Sequence, residues 1–167
     1  MRRLLRLAVA ALVVLVGVSA WVAAQSTSPL EGAWALQEVS TPKPPTNPVS
    51  KPGGLMLITG RHYSATYVLN SARPATATVD AAAIAAATAD QLRAVWGPVL
   101  ANAGTFTITG NTLKVMPSVA KTPQAMDAGS FTEFTFTLKG DTLVLVATRN
   151  DTGPAANPAT YRYTRIR

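Results

Sequence analysis

The sequence contains no cysteine and a single histidine, and these two absences remove whole classes of chemistry. Without thiols there is no disulfide scaffold, no thiol nucleophile, no cysteine-based zinc site and no lipoprotein acylation at a cysteine. With His62 alone there is no multi-histidine metal site. A glycine-rich phosphate loop is missing too: Lys51-Pro52-Gly53-Gly54 lacks the required frame, and no Gly-x-Gly-x-x-Gly follows a strand. The 8 carboxylates show no glycosidase-like or calcium-loop spacing. Nothing in the sequence implies a cofactor.

What remains is a chain of 167 residues, 48% hydrophobic, with a mean hydropathy of +0.20. That suits one domain with a packed core and argues against wholesale disorder. The chain starts like an exported one. Arg2, Arg3 and Arg6 precede an apolar run from Leu7 to Val18, and Val22-Ala23-Ala24 fits the small-x-small rule for cleavage before Gln25. The expected organisation is therefore a signal peptide over 1–24, a short linker over 25–29 and a domain over 30–167, placed in the periplasm or outside the cell. The rival reading is an uncleaved anchor, since Leu7 to Ala24 is 18 residues long and spanning helices need ~17–25.

Signal removal also changes the charge argument. Three of the 15 basic residues go with it, leaving 12 against 8 acidic, a net of +4. The remaining Lys and Arg are scattered singly, apart from Arg162, Arg165 and Arg167. Nucleic-acid binding needs a dense basic footprint with aromatics beside it. The expectation is no nucleic-acid partner, and no membrane partner after cleavage.

From Gln25 onward the dominant period is two. Phe106 to Val115 and Phe136 to Leu145 repeat one another, each a β-rich run, a Gly-Asn or Gly-Asp pair and a second β-rich run. Such pairs suit tight two-residue hairpin turns, because Gly accepts positive φ without a Cβ clash and Asn or Asp tolerates it. The implied register pairs Thr109 with Thr112, Ile108 with Leu113 and Phe106 with Val115. In the second hairpin it pairs Leu138 with Leu143 and Phe136 with Leu145. The apolar side chains then share one face, which is what a half-buried ribbon requires.

Further strands are read at Ala33–Val39, Gly54–Thr59, Tyr63–Leu69 and Ala159–Ile166, with a turn at Gly60-Arg61. About eight antiparallel strands with short connections predict an all-β, up-and-down barrel, which has no free edges. A helical insertion falls between the third and fourth strands. The Ala-rich stretch Val79–Ala103 has helical period, Thr88-Ala89-Asp90-Gln91 reads as a capping box, and Leu92, Val95, Trp96 and Val99 form an apolar stripe. Gly97-Pro98 should kink or end its first part. The five prolines between Thr41 and Gly53 predict a stiff, exposed loop outside the sheet.

These residues resemble the bacterial lipocalin-like domain family of small exported barrels. The resemblance rests on five blocks in order: Leu30-Glu31-Gly32-Ala33-Trp34, Gly54 to Ser64, Gly104-Thr105-Phe106, Pro117 to Pro123 and Leu138 to Leu143. It implies that the Gly32-x-Trp34 motif closes one barrel end, with Arg165 or Arg167 covering the indole as a structural plug. The chain departs from lipocalins in lacking a disulfide and in carrying its helix before the Gly104 strand.

A small-molecule pocket in the barrel would draw on Tyr63, Tyr67, Phe106 and Trp96, apolar bodies with some polar tips. Phe136, Met56 and Met116 would add to the lining. The sequence leaves open which face of the Tyr63 strand points inward, and whether the interior is open or filled. The primary expectation is a carrier that buries a small, largely apolar molecule. A barrel enzyme of cyclase, isomerase or hydrolase type would need an interior ionisable residue, with Glu133 and His62 as the candidates. Strand parity, however, sets Glu133 with Thr135 and Thr137 on the face opposite Phe134, Phe136 and Leu138. A structural or interaction module of the envelope would have a filled barrel.

Overall fold

The computed structural model describes residues 28–43, 52–69 and 81–167; the expected signal peptide lies outside them. The strands are β1 (Gly32–Ser40), β2 (Gly53–Thr59), β3 (His62–Val68), β4 (Val99–Thr109), β5 (Thr112–Ala120), β6 (Thr132–Lys139), β7 (Thr142–Asn150), β8 (Gly153–Pro154) and β9 (Thr160–Ile166). Helices α1 (Ala81–Ala86) and α2 (Ala89–Trp96) lie between β3 and β4, and a short 3-10 turn (Pro123–Met126) lies between β5 and β6.

Every pairing is antiparallel. Seven strands follow one another in chain order from β1 to β7, and β9 fits between β7 and β1 to close an eight-stranded barrel of lipocalin or calycin type. The two-residue β8 pairs only with β7. Closure gives each of the eight barrel strands a paired neighbour on both sides, although β5 meets β6 only over Thr112–Val115.

The hairpins take the register that turn chemistry dictates. Thr109 faces Thr112 and Phe106 faces Val115, while Leu138 faces Leu143 and Phe136 faces Leu145. Gly110 and Gly140 sit at φ +58° and +56°, a conformation that costs a side-chain-bearing residue and costs glycine almost nothing. Both turns and the Gly60-Arg61 turn gather at one end of the barrel, its foot. Backbone bonds from Phe106 to Arg61 (3.1 Å), Phe136 to Asn111 (2.8 Å) and Arg165 to Asp141 (2.8 Å) stitch each turn to the next strand. The longer connections, helices included, collect at the opposite end, the mouth.

The helical insertion is shorter than its sequence period suggests. The capping box forms: the Gln91 amide donates to Thr88 Oγ1 (3.3 Å), and the Thr88 amide donates to Gln91 Oε1 (2.8 Å). Helix α2 nevertheless ends at Trp96, and Val99 to Ala103 belong to β4. Pro98 brings no N–H to continue a helix, its carbonyl accepts from the Leu69 amide (2.8 Å), and Val99 pairs with Val68. Ladder bonds to β3 thus replace the helical ones. Among the described residues no helix is long and apolar enough to cross a membrane.

The foot is sealed by the first described turn. Leu30 and Trp34 are fully buried, and the Trp34 indole N–H donates to the Leu30 carbonyl (2.8 Å). The Arg165 guanidinium lies 4.1 Å from the Trp34 ring centre and donates to the carbonyls of Glu31 and Pro29 (3.4 Å to the latter). Arg167 instead pairs with Asp141 at the surface. Gly32 makes room for this plug: its φ is +132°, and a Cβ there would stand 2.7 Å from Arg165 Nη1.

Candidate functional site

Period-two alternation sends one face of each strand into the barrel. On β2 the inward residues are Met56 and Ile58, and on β3 they are Tyr63, Ala65 and Tyr67, all buried. The register across β3 and β4 sets Ala65 against Asn102 and Tyr67 against Leu100. Phe106, two turns of the pleat further down β4, is buried on the same face. From the far wall come Phe134 of β6, Leu145 and Ala147 of β7, and Tyr161 and Tyr163 of β9.

These side chains do not fill the interior. They line a partly open cavity of about 200 Å³, whose wall is mostly aliphatic and aromatic, with Asn102, Thr132 and four tyrosines as its polar members. All 4 tyrosines of the chain are on this wall. A second cavity of about 450 Å³ opens at the mouth, between the Gly97–Ala101 segment and Ala120–Thr122, and shares Leu100, Asn102 and Ala125 with the first. The two spaces therefore adjoin, with Asn102 and Leu100 where they meet.

The tyrosines form a connected group. Tyr67 reaches across the lumen from β3, and its hydroxyl lies 2.7 Å from that of Tyr163 on β9. Tyr161 stacks on Tyr163 with ring centres 6.5 Å apart, and the Phe134 ring meets Tyr161 edge-on at 6.1 Å. Tyr63 differs from these, for its buried hydroxyl has no hydrogen-bond partner among the described residues.

Burial dominates the ionisation of the whole group. It pushes the Tyr63 hydroxyl up to about 12 and raises those of Tyr67, Tyr161 and Tyr163 as well. At Tyr67 the hydrogen bond to Tyr163 opposes the burial effect without cancelling it. At Tyr163 proximity to Tyr67 adds to it. All four stay neutral at any physiological pH. The wall therefore offers neutral donors and acceptors in an apolar setting, and among the described residues no carboxylate, imidazole or amine lines it.

Of the residues the sequence singled out for a pocket, Tyr63, Tyr67 and Phe106 meet on this wall, together with Met56. Trp96 does not. Its side chain is 51% exposed, no residue of α2 is buried, and the helix lies outside the lumen. The stripe Leu92-Val95-Trp96 reads as a core-facing surface, yet the core is built from strand residues and Leu30 without it. What holds the end of α2 is polar: Lys121 Nζ donates to the carbonyls of Trp96, Gly97 (3.0 Å) and Val99 (2.8 Å). Phe136 packs on the core below the cavity, and Met116 falls on the outward phase of β5, opposite the exposed Thr105.

Neither candidate for interior acid–base chemistry reaches the cavity. Glu133 lies on the outer face of β6, 21% exposed, 4.0 Å from Lys114 Nζ and 3.7 Å from Arg149 Nε. His62 is exposed where β3 begins. Sequence reasoning overlooked Tyr161, Tyr163 and Asn102. The alternation Tyr161-Arg162-Tyr163-Thr164 is a signal for the first two, since it places both rings on one face.

No family model matches the chain, and no curated protein matches it. Solved structures that match include two of the fluorescent protein UnaG. A mutant form is 13% identical, covers 83% of this chain and 96% of its own, and has a TM-score of 0.37. The wild type is 11% identical, covers 82% and 97%, and has a TM-score of 0.36. A superposition this loose adds nothing to the fold or the function, and both rest on the geometry of this chain.

Proposed function

We propose that this protein is an exported, lipocalin-like carrier that takes up one small, largely apolar molecule inside its barrel. The observation behind the reading is the partly open cavity of about 200 Å³ between Met56, Tyr63, Tyr67, Phe106, Leu145 and Tyr163. Binding draws on apolar surface leaving water, roughly 25 cal/mol per Å², and on a wall already held in place by the strand ladders. Access runs through the mouth, past Asn102 and Leu100. A filled structural barrel is disfavoured by the same cavity. A barrel enzyme finds less support, since among the described residues neither Glu133 nor His62 lines the cavity.

Native mass spectrometry of protein purified from its own host tests the carrier reading. A co-purified small molecule, lost when Tyr67 or Phe106 is changed to a charged residue, is the expected result. Protein that always runs at its bare mass, and that no apolar probe protects against heat, overturns it. Export is supported by the Arg2-Arg3-Arg6 n-region and the apolar run after it. The protein recovered outside the cytoplasm should begin at Gln25; a membrane-bound form beginning at Met1 points to the anchor instead.

A further inference from the structure

On its outside, the barrel wall carries an uncharged patch. Parity sends Ala33 and Ala35 of β1, Leu55 and Leu57 of β2, Ser64 and Thr66 of β3, and Thr164 and Ile166 of β9 outward. Their neighbours Trp34, Met56, Ala65 and Tyr163 are buried on the other face. The ladders set the eight outward side chains in two rows, one reading Ile166, Ala33, Leu57, Ser64 and the other Thr164, Ala35, Leu55, Thr66. Leu55, Leu57 and Ile166 are 40%, 44% and 47% exposed. A lone exposed aliphatic is ordinary, but three of them around two alanines make one continuous apolar surface. The Arg162–Glu38 ion pair (3.5 Å) borders it toward the mouth, and Glu31, which accepts from the Thr59 hydroxyl (3.3 Å), borders it toward the foot. An uncharged centre with a polar rim is the anatomy of a protein–protein contact.

The sizes of the side chains say what fits there. In both rows a leucine on β2 stands beside an alanine on β1, so a ridge lies next to a trough. A two-fold axis parallel to the strands, midway between β1 and β2, lays β2 of a second copy over β1 and β3 over β9. Leu57 then meets the second copy's Ala33, Leu55 meets its Ala35, and Ile166 meets its Ser64. Large opposes small at each place, and an isologous interface makes every such contact twice. Four strands about 4.8 Å apart and four rows about 6.8 Å apart, the rim rows included, cover about 500 Å² on each copy, or about 1,000 Å² in all. That area reaches the floor for a specific interface and falls short of the standard size, so the association is weak and reversible. We propose that this protein forms a two-fold dimer through the outer face of β9, β1, β2 and β3, with the Leu55–Leu57 ridge of each copy seated on the Ala33–Ala35 trough of the other. Both mouths open at the same end of the pair, away from the contact. The dimer is independent of what the cavity holds.

Sedimentation velocity on protein purified from its own host, from micromolar to millimolar concentration, should show a coefficient rising from the monomer value toward the dimer value. Leu57→Ala leaves a void at the contact and Ala33→Leu makes two leucines collide, so each should weaken association at least about ten-fold. The double variant Ala33→Leu/Leu57→Ala exchanges ridge and trough and should restore association to within about three-fold. Both positions face solvent in the monomer, and far-UV circular dichroism checks that each variant keeps its fold. Amide NMR shifts that change on dilution should map to β9, β1, β2 and β3, which locates the contact without any substitution. A monomer at every concentration, including one recovered with a different protein on this face, overturns the proposal. So does a dimer that neither single substitution weakens, a double variant that fails to recover, or dilution shifts confined to another face.

Discussion

Alkaline titration perturbs the lining of the cavity selectively, because every tyrosine of the chain faces it. Each of these hydroxyls has its folded-state pKa raised above the ordinary 10.0 by burial. A raised acid favours the folded state as long as both states are neutral. The contribution is therefore complete below pH 10 and is lost as pH climbs through the folded-state values. For Tyr63, moved from 10.0 to about 12, it amounts to about 2.7 kcal/mol. Above pH 10, Tyr63, Tyr67 and Tyr163 each cost about 1.4 kcal/mol per pH unit while folded and neutral, about 4 kcal/mol together. Against a typical net stability of about 5–15 kcal/mol, the barrel should unfold between about pH 11 and 14. Phenolate absorbance and far-UV circular dichroism on one sample give the readout. Absorbance should stay flat through pH 10 and then rise in a single step with the loss of β signal. Tyr63→Phe should make the loss of stability with pH shallower by about 1.4 kcal/mol per unit. A tyrosine that ionises near pH 10 while the β signal is intact would refute the reasoning.

Three further outcomes follow from the foot and the mouth. Arg165→Met should lower stability by about 2–3 kcal/mol in urea unfolding, through loss of the contact over Trp34 and the bonds to the Glu31 and Pro29 carbonyls; Arg165→Lys should recover only part, since an ammonium lacks the planar fork. Gly32→Ala should cost at least about 2 kcal/mol by the same measurement, because it combines a φ of +132° with a Cβ standing 2.7 Å from Arg165. Lys121→Met should leave the global unfolding midpoint within about 0.5 kcal/mol but accelerate amide exchange in the last turn of α2, whose carbonyls it releases; unchanged exchange there would mean that the lysine does not hold the helix.

How much of this was legible in the sequence depends on the range of the interaction that decides each feature. The hairpins at Gly110-Asn111 and Gly140-Asp141 are specified by two adjacent residues and an alternation beside them, so their register reads directly and matches the observed pairing. The inward face of β3 does not read, because its neighbour β2 is apolar on both faces. Met56 and Ile58 turn in, while Leu55 and Leu57 stay outside at 40% and 44% exposure. Only the closed barrel breaks that tie. The stripe through Leu92, Val95 and Trp96 misled for a related reason: periodicity marks an apolar face but not whether anything covers it. Likewise Val99 to Ala103 have helical composition, and the ladder with β3, contributed from thirty residues upstream, draws them into a strand. Glu133 was legible from parity alone, as the outer face of β6 needs no tertiary information.

Trp34, Gly32 and Arg165 fasten one pole of the molecule, whereas Asn102, Leu100 and the Lys121-held helix border the other. If the protein is the carrier proposed above, substitutions that retune cargo preference or exchange rate can accumulate around the opening without loosening the plug that keeps the fold intact. Such a division lets one scaffold be re-purposed for new cargo by drift at its entrance, and it tells an engineer which half of the barrel to randomise and which to leave alone.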